Sequence, residues 1–366
     1  MSHPYSDLED RYFWKTAVGI RNCLEVNELW TPKFALNRND RVLTAGSCFA
    51  QHIGRALRDN GYNWYIAEPG PEPQLEQDKI INQRYGYDIF SFRTANIYTA
   101  ALLQQWLQWA IEPESQSDEA WEQNGRFFDP VRPGIEPGGF ESLEELRAAR
   151  MVTLDRIHHG IANAQVFVFT LGLTEAWCNK RTGLVYAMCP GTLAGQFDGE
   201  QHKFLNFRHS EIMAHMESVL NLAWQINPQL RFLLTVSPVP LTATASGDHV
   251  VCANMYSKST LRSVAQELRD SHDFIDYFPS FEVISSSVFK GMFFQPNQRE
   301  VSLSGVEHVM KQFFEGQSNL APNAPASNDK RASNPSPTFS VNSEAISEPS
   351  AEDIHCEDAM LEAFSK

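Results

Sequence analysis

The sequence lacks long apolar runs and basic clusters, and each absence excludes a class of function. Its longest nearly unbroken apolar stretch, Val166 to Leu173, is far shorter than the roughly 20 residues of a membrane-spanning helix, so we expect no membrane span. The 30 basic residues are outnumbered by 45 acidic ones, for a net charge of −15, and they form no Lys/Arg-rich run. Because clustered Lys and Arg hold a nucleic-acid backbone, we expect no nucleic-acid partner.

Cysteine is also scarce, with six residues among 366 at irregular spacing and no C-x-x-C pair. This pattern excludes a zinc ribbon and a dithiol redox motif. Neither H-E-x-x-H nor a nucleotide-binding glycine motif occurs, so we expect no metal and no cofactor. The first residues have neither the basic nor the apolar part of a signal peptide, which predicts a cytoplasmic location.

Composition changes after Gly316 and divides the chain into two parts. Residues 318–366 contain nine Ser, five Pro, eight acidic and three basic residues, with few large apolar side chains. Such a segment buries too little surface to offset its ordering entropy. We therefore predict one α/β domain over residues 1–317 and a disordered acidic tail over residues 318–366. The end of this tail, with Leu361 and Phe364, allows a short helix that contacts an unknown protein partner.

Strand-like and helix-like segments alternate before that boundary. Strands are predicted at 41–45, 64–66, 166–171, 232–236 and 274–277, and helices at 50–59, 97–111, 142–162, 210–226 (capped by Ser210), 254–270 and 304–315. Helix-poor stretches at 67–92, 112–140 and 176–208 are expected to be long loops or inserts. Continuous apolar strands separated by helices predict a mainly parallel sheet, covered on both faces, with ligands at the carboxyl ends of its strands.

The first predicted strand ends in residues that suit a nucleophile. Gly46 follows the strand, and Ser47 and Cys48 lie where the chain turns into a helix. A helix N-terminus favours a thiolate, and its backbone N–H groups can hold an oxyanion. A tight turn with two small filler residues explains the same pattern.

Two later strand ends carry further candidates. Gly172, Thr174 and Glu175 follow the strand at 166–171, where Thr174 is interpreted as an oxyanion donor and Glu175 as the carboxylate that orients a base. The local pattern by itself favours the alternative, an N-cap threonine and a solvated acid. Ser237 ends the strand at 232–236, and His249 follows within a dozen residues, on the expected side of the sheet.

These residues are part of a longer series of motifs by which the chain resembles the GSCFA family, over roughly residues 10–316. The motifs are Gly46-Ser47-Cys48-Phe49-Ala50, Arg84-Tyr85-Gly86, Asn96-Ile97-Tyr98-Thr99, Phe128-Asp129-Pro130, Thr170 to Trp177, Cys189-Pro190-Gly191-Thr192, Asn206-Phe207, Ser237-Pro238-Val239-Pro240, Tyr256-Ser257-Lys258-Ser259 and Tyr277-Phe278-Pro279-Ser280. The resemblance implies the flavodoxin-like three-layer α/β/α fold of the SGNH (GDSL-like) hydrolases. It also implies an esterase or acyltransferase, with a carbohydrate or glycoconjugate as one expected substrate.

The resemblance also implies roles for individual residues. It places Cys48 at the nucleophile position of the first block, with Ser47 as the competitor. It places Thr174 where these hydrolases carry an oxyanion-binding Asn. The second-block oxyanion donor would fall near Gly86 or Asn96. Ser237 and His52 are further residues expected to contact substrate.

The superfamily's Asp-x-x-His, which supplies its base, has no counterpart at residues 299–302. His308 falls inside the final helix, where we expect it on the surface. The base is then expected from another histidine. His249 is the first candidate. His52, one helical turn after the predicted nucleophile, is the second, and His209 is the third. The absence of the Asp-x-x-His motif also favours an alternative function. In that alternative, the chain is a catalytically inactive protein of the same fold that binds a carbohydrate or a partner.

Overall fold

The structure is a computed structural model, and it describes residues 3–320, 361, 363 and 364. Its strands and α-helices, in chain order, are β1 (Val42–Gly46), α1 (Phe49–Asp59), α2 (Glu76–Arg84), α3 (Ala100–Ile111), β2 (Trp121–Gln123), β3 (Arg126–Phe128), α4 (Leu143–Asn163), β4 (Val166–Leu171), β5 (Glu175–Asn179), β6 (Val185–Tyr186), β7 (His202–Asn206), α5 (His209–Ile226), β8 (Arg231–Val236), α6 (Val250–Ser271), β9 (Ile275–Tyr277), α7 (Ser280–Ser285) and α8 (Leu303–Leu320). Most of the predicted tail, residues 321–360 with 362, 365 and 366, lies outside the described residues.

The central sheet is parallel and has the strand order β1-β4-β8-β9. A single bridge pairs Val42 with Trp64 on the outer side of β1, so the predicted strand at 64–66 is reduced to one paired residue. After β1 the chain runs to Trp64 on one side and then returns to β4 on the other. The strand order therefore reverses beside the carboxyl end of β1, which is where open parallel sheets form a ligand crevice.

Helices cover both faces of this sheet, as the apolar strands predict. Phe167 and Phe232 face a core built with α3, α4, α5 and α6. Val168 and Leu233, one residue further along the same strands, face a second core built with α1, α7 and α8. Because successive strand residues point to opposite faces, only strands that are apolar throughout fill both cores. The predicted three-layer α/β/α fold is confirmed.

The three stretches expected to be loops or inserts contain more secondary structure than was predicted. Residues 112–140 contain the β2–β3 hairpin, residues 176–208 contain an antiparallel sheet of order β6-β5-β7, and residues 67–92 contain α2. The stretches are therefore structured inserts, the second of the two predicted possibilities. These strands have two to five residues each, too few to stand out against the turn residues between them.

Helix starts also differ from the prediction. Ser210 does not cap α5, because the helix begins at His209 and the N–H of Arg208 donates to Glu211 Oε2 at 2.7 Å. The third helix begins at Ala100 rather than at 97, since Thr99 Oγ1 caps it by accepting from the N–H of Leu102 at 3.2 Å. Within the part of the chain that the structure describes, no helix combines the length and apolar character needed to span a membrane.

Candidate functional site

The turn after β1 has a conformation that only glycine adopts without strain. Gly46 has a φ of +132°, and an added Cβ would lie 2.4 Å from the carbonyl oxygen of Thr170 on the neighbouring strand. The N–H of Ser47 donates to that same oxygen at 3.1 Å. Cys48 follows at the N-cap position of α1, and both Ser47 and Cys48 are buried. The sequence therefore holds a hydroxyl and a thiol at one helix N-terminus.

Ser47 packs against Gly172, directly after the neighbouring strand β4. A Cβ built on Gly172 would lie 3.1 Å from Ser47 Cβ and 3.0 Å from the carbonyl oxygen of Tyr98. The Ser47 Oγ is buried and has no hydrogen-bond partner among the described residues. The 46–48 turn therefore lies against the segment that follows β4.

A short segment before α3 connects these two strand ends. The N–H of Ile97 donates to Gly46 O at 2.8 Å, and Tyr98 O accepts from the N–H groups of Gly172 and Leu173 at 3.1 and 2.9 Å. Asn96, which is 1% exposed, precedes this bridge and so lies beside the turn.

Gly86, the other second-block candidate, lies just beyond the end of α2, with a φ of +77°. An added Cβ there would lie 2.3 Å from Ile135. The positive φ after a helix end and the close packing against Ile135 explain why a glycine occupies this position.

Sequence reasoning missed Lys258 as a site residue. This lysine is 1% exposed on α6, and its Nζ donates to the carbonyl oxygen of Gly172 at 2.8 Å. Its neighbour Ser257 accepts from the N–H of Thr174 at 3.0 Å, so α6 holds both ends of the segment after β4. The available signal was the Tyr256-Ser257-Lys258-Ser259 motif, to which no role was assigned.

Thr174 and Glu175 differ in what their side chains do. Thr174 is buried, and its Oγ1 donates to Asn206 Oδ1 at 2.8 Å, so that hydroxyl proton is already engaged. Glu175 is half-buried, and its Oε1 accepts from Thr244 Oγ1 at 2.7 Å. Burial raises the pKa of Glu175, and nearby Asp248 adds to the rise, while hydrogen bonds from Thr244 and a neighbouring backbone N–H oppose it.

Ser237 is buried at the end of β8. Its N–H donates to Leu171 O at 2.8 Å, and its Oγ accepts from the N–H of Val239 at 3.3 Å. These two hydrogen bonds fix the turn that follows the strand.

The candidate histidines lie in different surroundings. His52 follows Cys48 by four residues, so the two lie on the same side of the first helical turns. Burial, and next the charge of Arg55, lower the pKa of His52 to about 4. His249 is exposed at the N-cap of α6, where its Nδ1 accepts from the N–H of Val251 at 3.3 Å. His209 lies 3.4 Å from Glu267 on the surface of α5.

His308 does not lie on the helix surface as expected. Its ring is half-buried and stacks on Phe293, with ring centroids 4.8 Å apart and an interplanar angle of 24°. Burial lowers the pKa of this histidine. The stacking gives it a packing role between α8 and the segment before it.

An apolar cavity of about 750 Å³ begins beside this site. Tyr98 and Leu173, which adjoin Gly172, line it together with Glu175, Trp177, Met188 and Leu241, whereas Ser47 and Cys48 are not among its lining residues. A second cavity of about 1300 Å³ adjoins the first, because residues 195–197 line both. Its polar and aromatic lining includes Gln104, Gln108, Trp109, Glu119, Trp121 and Asn179.

Two other cysteines in the described ranges are poorer nucleophiles by environment. Burial raises the pKa of Cys189 to about 11 and also raises that of Cys178. Cys252 is exposed on α6. Among residues 3–320, 361, 363 and 364, no group of three or more His, Cys, Asp or Glu is arranged to hold a metal ion.

The comparison with protein-family models agrees with the motifs. The family model described as "GSCFA family" matches residues 41–313. No curated protein matches the chain. A solved structure from Streptococcus pneumonia, provisionally described as a platelet activating factor, is 11% identical over 42% of this chain and 60% of its own, with a TM-score of 0.27. The salicylyl-acyltransferase SsfX3 from a tetracycline biosynthetic pathway is 13% identical over 48% of each chain, with a TM-score of 0.26. The chain thus spans about half to three fifths of these structures.

Proposed function

We propose that this chain, which belongs to the GSCFA family, is an acyl-ester hydrolase or acyltransferase with Cys48 as its nucleophile. The observation that carries the proposal is the contact between the 46–48 turn and Gly172, where the strand order reverses, beside an apolar cavity of about 750 Å³. A thiol at a helix N-terminus is placed to react as a thiolate. Ser47, one residue earlier, is the competing nucleophile.

In the proposed reaction, the Cys48 sulfur bonds to the acyl carbon while its proton passes to a histidine nitrogen. The ester C–O bond then breaks, and the alcohol leaves with that proton, so that a thioester remains on Cys48. Water or an acceptor hydroxyl attacks the thioester and gives its own proton to the same histidine. That proton returns to the sulfur as the thioester bond breaks, which restores the thiol.

The oxyanion formed in these steps lies, in this proposal, against the start of α1. We assign the oxyanion contact to the N–H of Phe49, the first of this helix, where the helix dipole also attracts negative charge. The next two N–H groups, of Ala50 and Gln51, donate to Ser47 O and Cys48 O at 2.9 and 3.1 Å. The ammonium group of Lys258, held on Gly172 O, adds a positive charge on the opposite side. Because the Thr174 hydroxyl donates to Asn206, we assign Thr174 the role of holding the segment after β4 in place.

We assign the proton acceptor to His52. Burial keeps its ring neutral at pH 7, the form that accepts a proton, and it lies one helical turn from Cys48. The negative tetrahedral intermediate would stabilise the imidazolium that forms beside it. His249 is the second candidate, since the loop that precedes it, residues 241–245, lines the apolar cavity.

The two adjoining cavities suit a substrate with two unlike parts. The apolar cavity, which Tyr98 and Leu173 join to the turn, would take the acyl group. The larger cavity beyond residues 195–197 offers amide, carboxylate and indole groups, which suit the hydroxyls and apolar faces of a carbohydrate or glycoconjugate.

Ester hydrolysis by matched variants tests this proposal. We expect Cys48→Ala to abolish turnover of a p-nitrophenyl ester and His52→Ala to lower kcat by about 10²-fold or more. His249→Ala is expected to stay within a few-fold of the parent. Loss of turnover with His249→Ala and not with His52→Ala would move the base to His249, and full activity of Cys48→Ala would refute the thiol mechanism.

A second candidate function is carbohydrate binding without catalysis. The observation that favours it is the polar 1300 Å³ cavity in a chain that has no Asp or His at residues 299–302. Saturable binding of an oligosaccharide by a protein that hydrolyses none of a panel of acyl esters would support this function over the first.

A further inference from the structure

The apolar cavity has a wall that comes from the far end of the chain. Leu361 and Phe364 line it together with Trp177, Met188 and Leu241 of the α/β domain. Leu361, Ala363 and Phe364, which we call the distal segment, are separated from the end of α8 by residues 321–360. Forty residues can extend over roughly 130 Å, so chain length does not restrict where this segment docks.

From this arrangement, we propose that the distal segment docks on the apolar cavity as a strap that completes a binding site for an acyl chain of medium length. The proposal rests on the proposed function, because it assigns the acyl group of that substrate to this cavity. It also assigns a partner to the segment: the domain of its own chain.

The spacing of the two apolar side chains fits this role. Leu361 and Phe364 are three residues apart and lie in a helical turn, so they project from the same side of it. Opposite them, Trp177 contacts Phe197 and Phe204, with ring centroids 5.2 and 5.5 Å apart. An acyl chain would therefore lie between an aromatic wall of the domain and an aliphatic and aromatic strap.

The exposure of the strap shows whether it lines the cavity or fills it. Phe364 keeps 62% of its surface exposed, and the cavity retains about 750 Å³ with the segment in place. The segment therefore lies across the mouth of the cavity instead of filling it. A volume of this size is typical of pockets that enclose a small organic ligand. We infer that the strap adds to the binding of a long acyl chain and does not compete with it.

Chain-length dependence tests the strap in the full-length protein. Leu361→Ser combined with Phe364→Ser is expected to raise KM for p-nitrophenyl octanoate about tenfold, with kcat retained. An acetyl group is too short to reach the strap, so KM for p-nitrophenyl acetate should change less than twofold. The control combines Ile80→Ser with Ile81→Ser, at two exposed apolar positions of α2 that line neither cavity, and it should match the parent with both esters. Equal changes for the two esters, or a lower KM for the octanoate, would refute the strap.

Binding in a Cys48→Ala background separates this inference from the catalytic proposal. The probe is 11-(dansylamino)undecanoic acid, whose fluorescence rises in an apolar site. We expect the double serine substitution to weaken its Kd about tenfold whether or not any variant turns over ester. If the double serine substitution weakens binding while no variant hydrolyses ester, the strap proposal stands and the catalytic proposal is refuted. If the parent hydrolyses ester but the double serine substitution leaves the Kd unchanged, the catalytic proposal stands and the strap proposal is refuted.

Discussion

The Nζ of Lys258 on α6 donates to the carbonyl oxygen of Gly172 at 2.8 Å, in a setting where the lysine is 1% exposed. Gly172 in turn packs against Ser47, so this hydrogen bond holds the lysine amino group close to the turn that carries the proposed nucleophile. Gly172 follows β4, and its carbonyl would otherwise face a buried environment. The lysine thus gives the carbonyl at the end of β4 a hydrogen-bond donor, and in the proposed reaction it also supplies a positive charge.

Replacing this lysine should affect both stability and rate. Lys258→Met leaves the Gly172 carbonyl without its Lys258 donor, which costs about 1–3 kcal/mol in the free energy of unfolding. If the ammonium group also stabilises the oxyanion, ester hydrolysis should fall about 10²-fold under conditions where the variant is folded. Urea unfolding and initial rates measure the two effects, with the exposed Lys311→Met as control. An unchanged rate would remove Lys258 from the proposed chemistry.

A pair of glycine substitutions tests the turn after β1. Gly46→Ala places a methyl group 2.4 Å from Thr170 O, and we expect it to destabilise the fold by more than about 3 kcal/mol and to displace Ser47 and Cys48. Gly183 also has a positive φ, +77°, but nothing lies within 4 Å of its added Cβ. Gly183→Ala should therefore cost only about 1 kcal/mol. Equal unfolding midpoints for the two variants would contradict this account of the turn.

A buried ion cluster gives a third prediction. Asp129 accepts hydrogen bonds from Arg132 at 3.0 Å and from Arg150 at 2.7 and 3.1 Å, and all three side chains are buried. Asp129→Asn leaves two buried guanidinium groups without their carboxylate, so we expect a loss of about 3–5 kcal/mol in the free energy of unfolding. Chemical denaturation at pH 7 measures it, with the exposed Asp155→Asn as control. A loss below about 1 kcal/mol would contradict the pairing.

The same carboxylate makes stability depend on acid pH. Burial by itself raises the pKa of Asp129, but Arg150 and Arg132 outweigh it and hold the pKa below the usual 3.8. The folded state therefore binds this proton less readily than the unfolded chain. The stabilisation is present above the unfolded pKa and is lost as pH falls through the folded one.

His52 gives a pH dependence in a different window. Its pKa is about 4 in the folded state, against the ordinary histidine value of 6.5 in the unfolded chain, so the folded state again binds fewer protons. Its contribution to stability is present above pH 6.5 and declines by about 2–3 kcal/mol as pH falls toward 4. In urea unfolding between pH 7 and 4.5, His52→Gln should lose this part of the decline. The exposed His249→Gln should keep it, and identical profiles for both variants would contradict the lowered pKa of His52.

The parallel sheet could be predicted because its strands are apolar on both faces. Val166 to Leu171 and Phe232 to Val236 leave no polar side for solvent, and a chain of this kind must be covered by helices. The turn at residues 46–48 could be located for the same reason, since it directly follows such a strand. The antiparallel sheet of β5, β6 and β7 could not, because β6 has only two residues.

The surroundings of the site depended on contacts between distant parts of the chain. Nothing in the local sequence around Lys258 indicates a hydrogen bond to a carbonyl 86 residues away. The burial of His52 depends likewise on packing around α1, whereas the helical spacing that places it near Cys48 could be read directly. Thr174 was predicted as an oxyanion donor from its position after β4, but its partner Asn206 comes from β7, a strand that the sequence did not reveal.

The central claim is that Cys48 carries the acyl group, and intact-mass spectrometry after brief exposure to an activated acyl ester tests it most directly. The account predicts one acyl adduct on the parent protein, absent from Cys48→Ala and retained by Ser47→Ala. Peptide mapping should place this adduct on Cys48. An adduct that disappears only with Ser47→Ala would make the serine the nucleophile, and the absence of a site-specific adduct from every variant would contradict covalent acyl transfer.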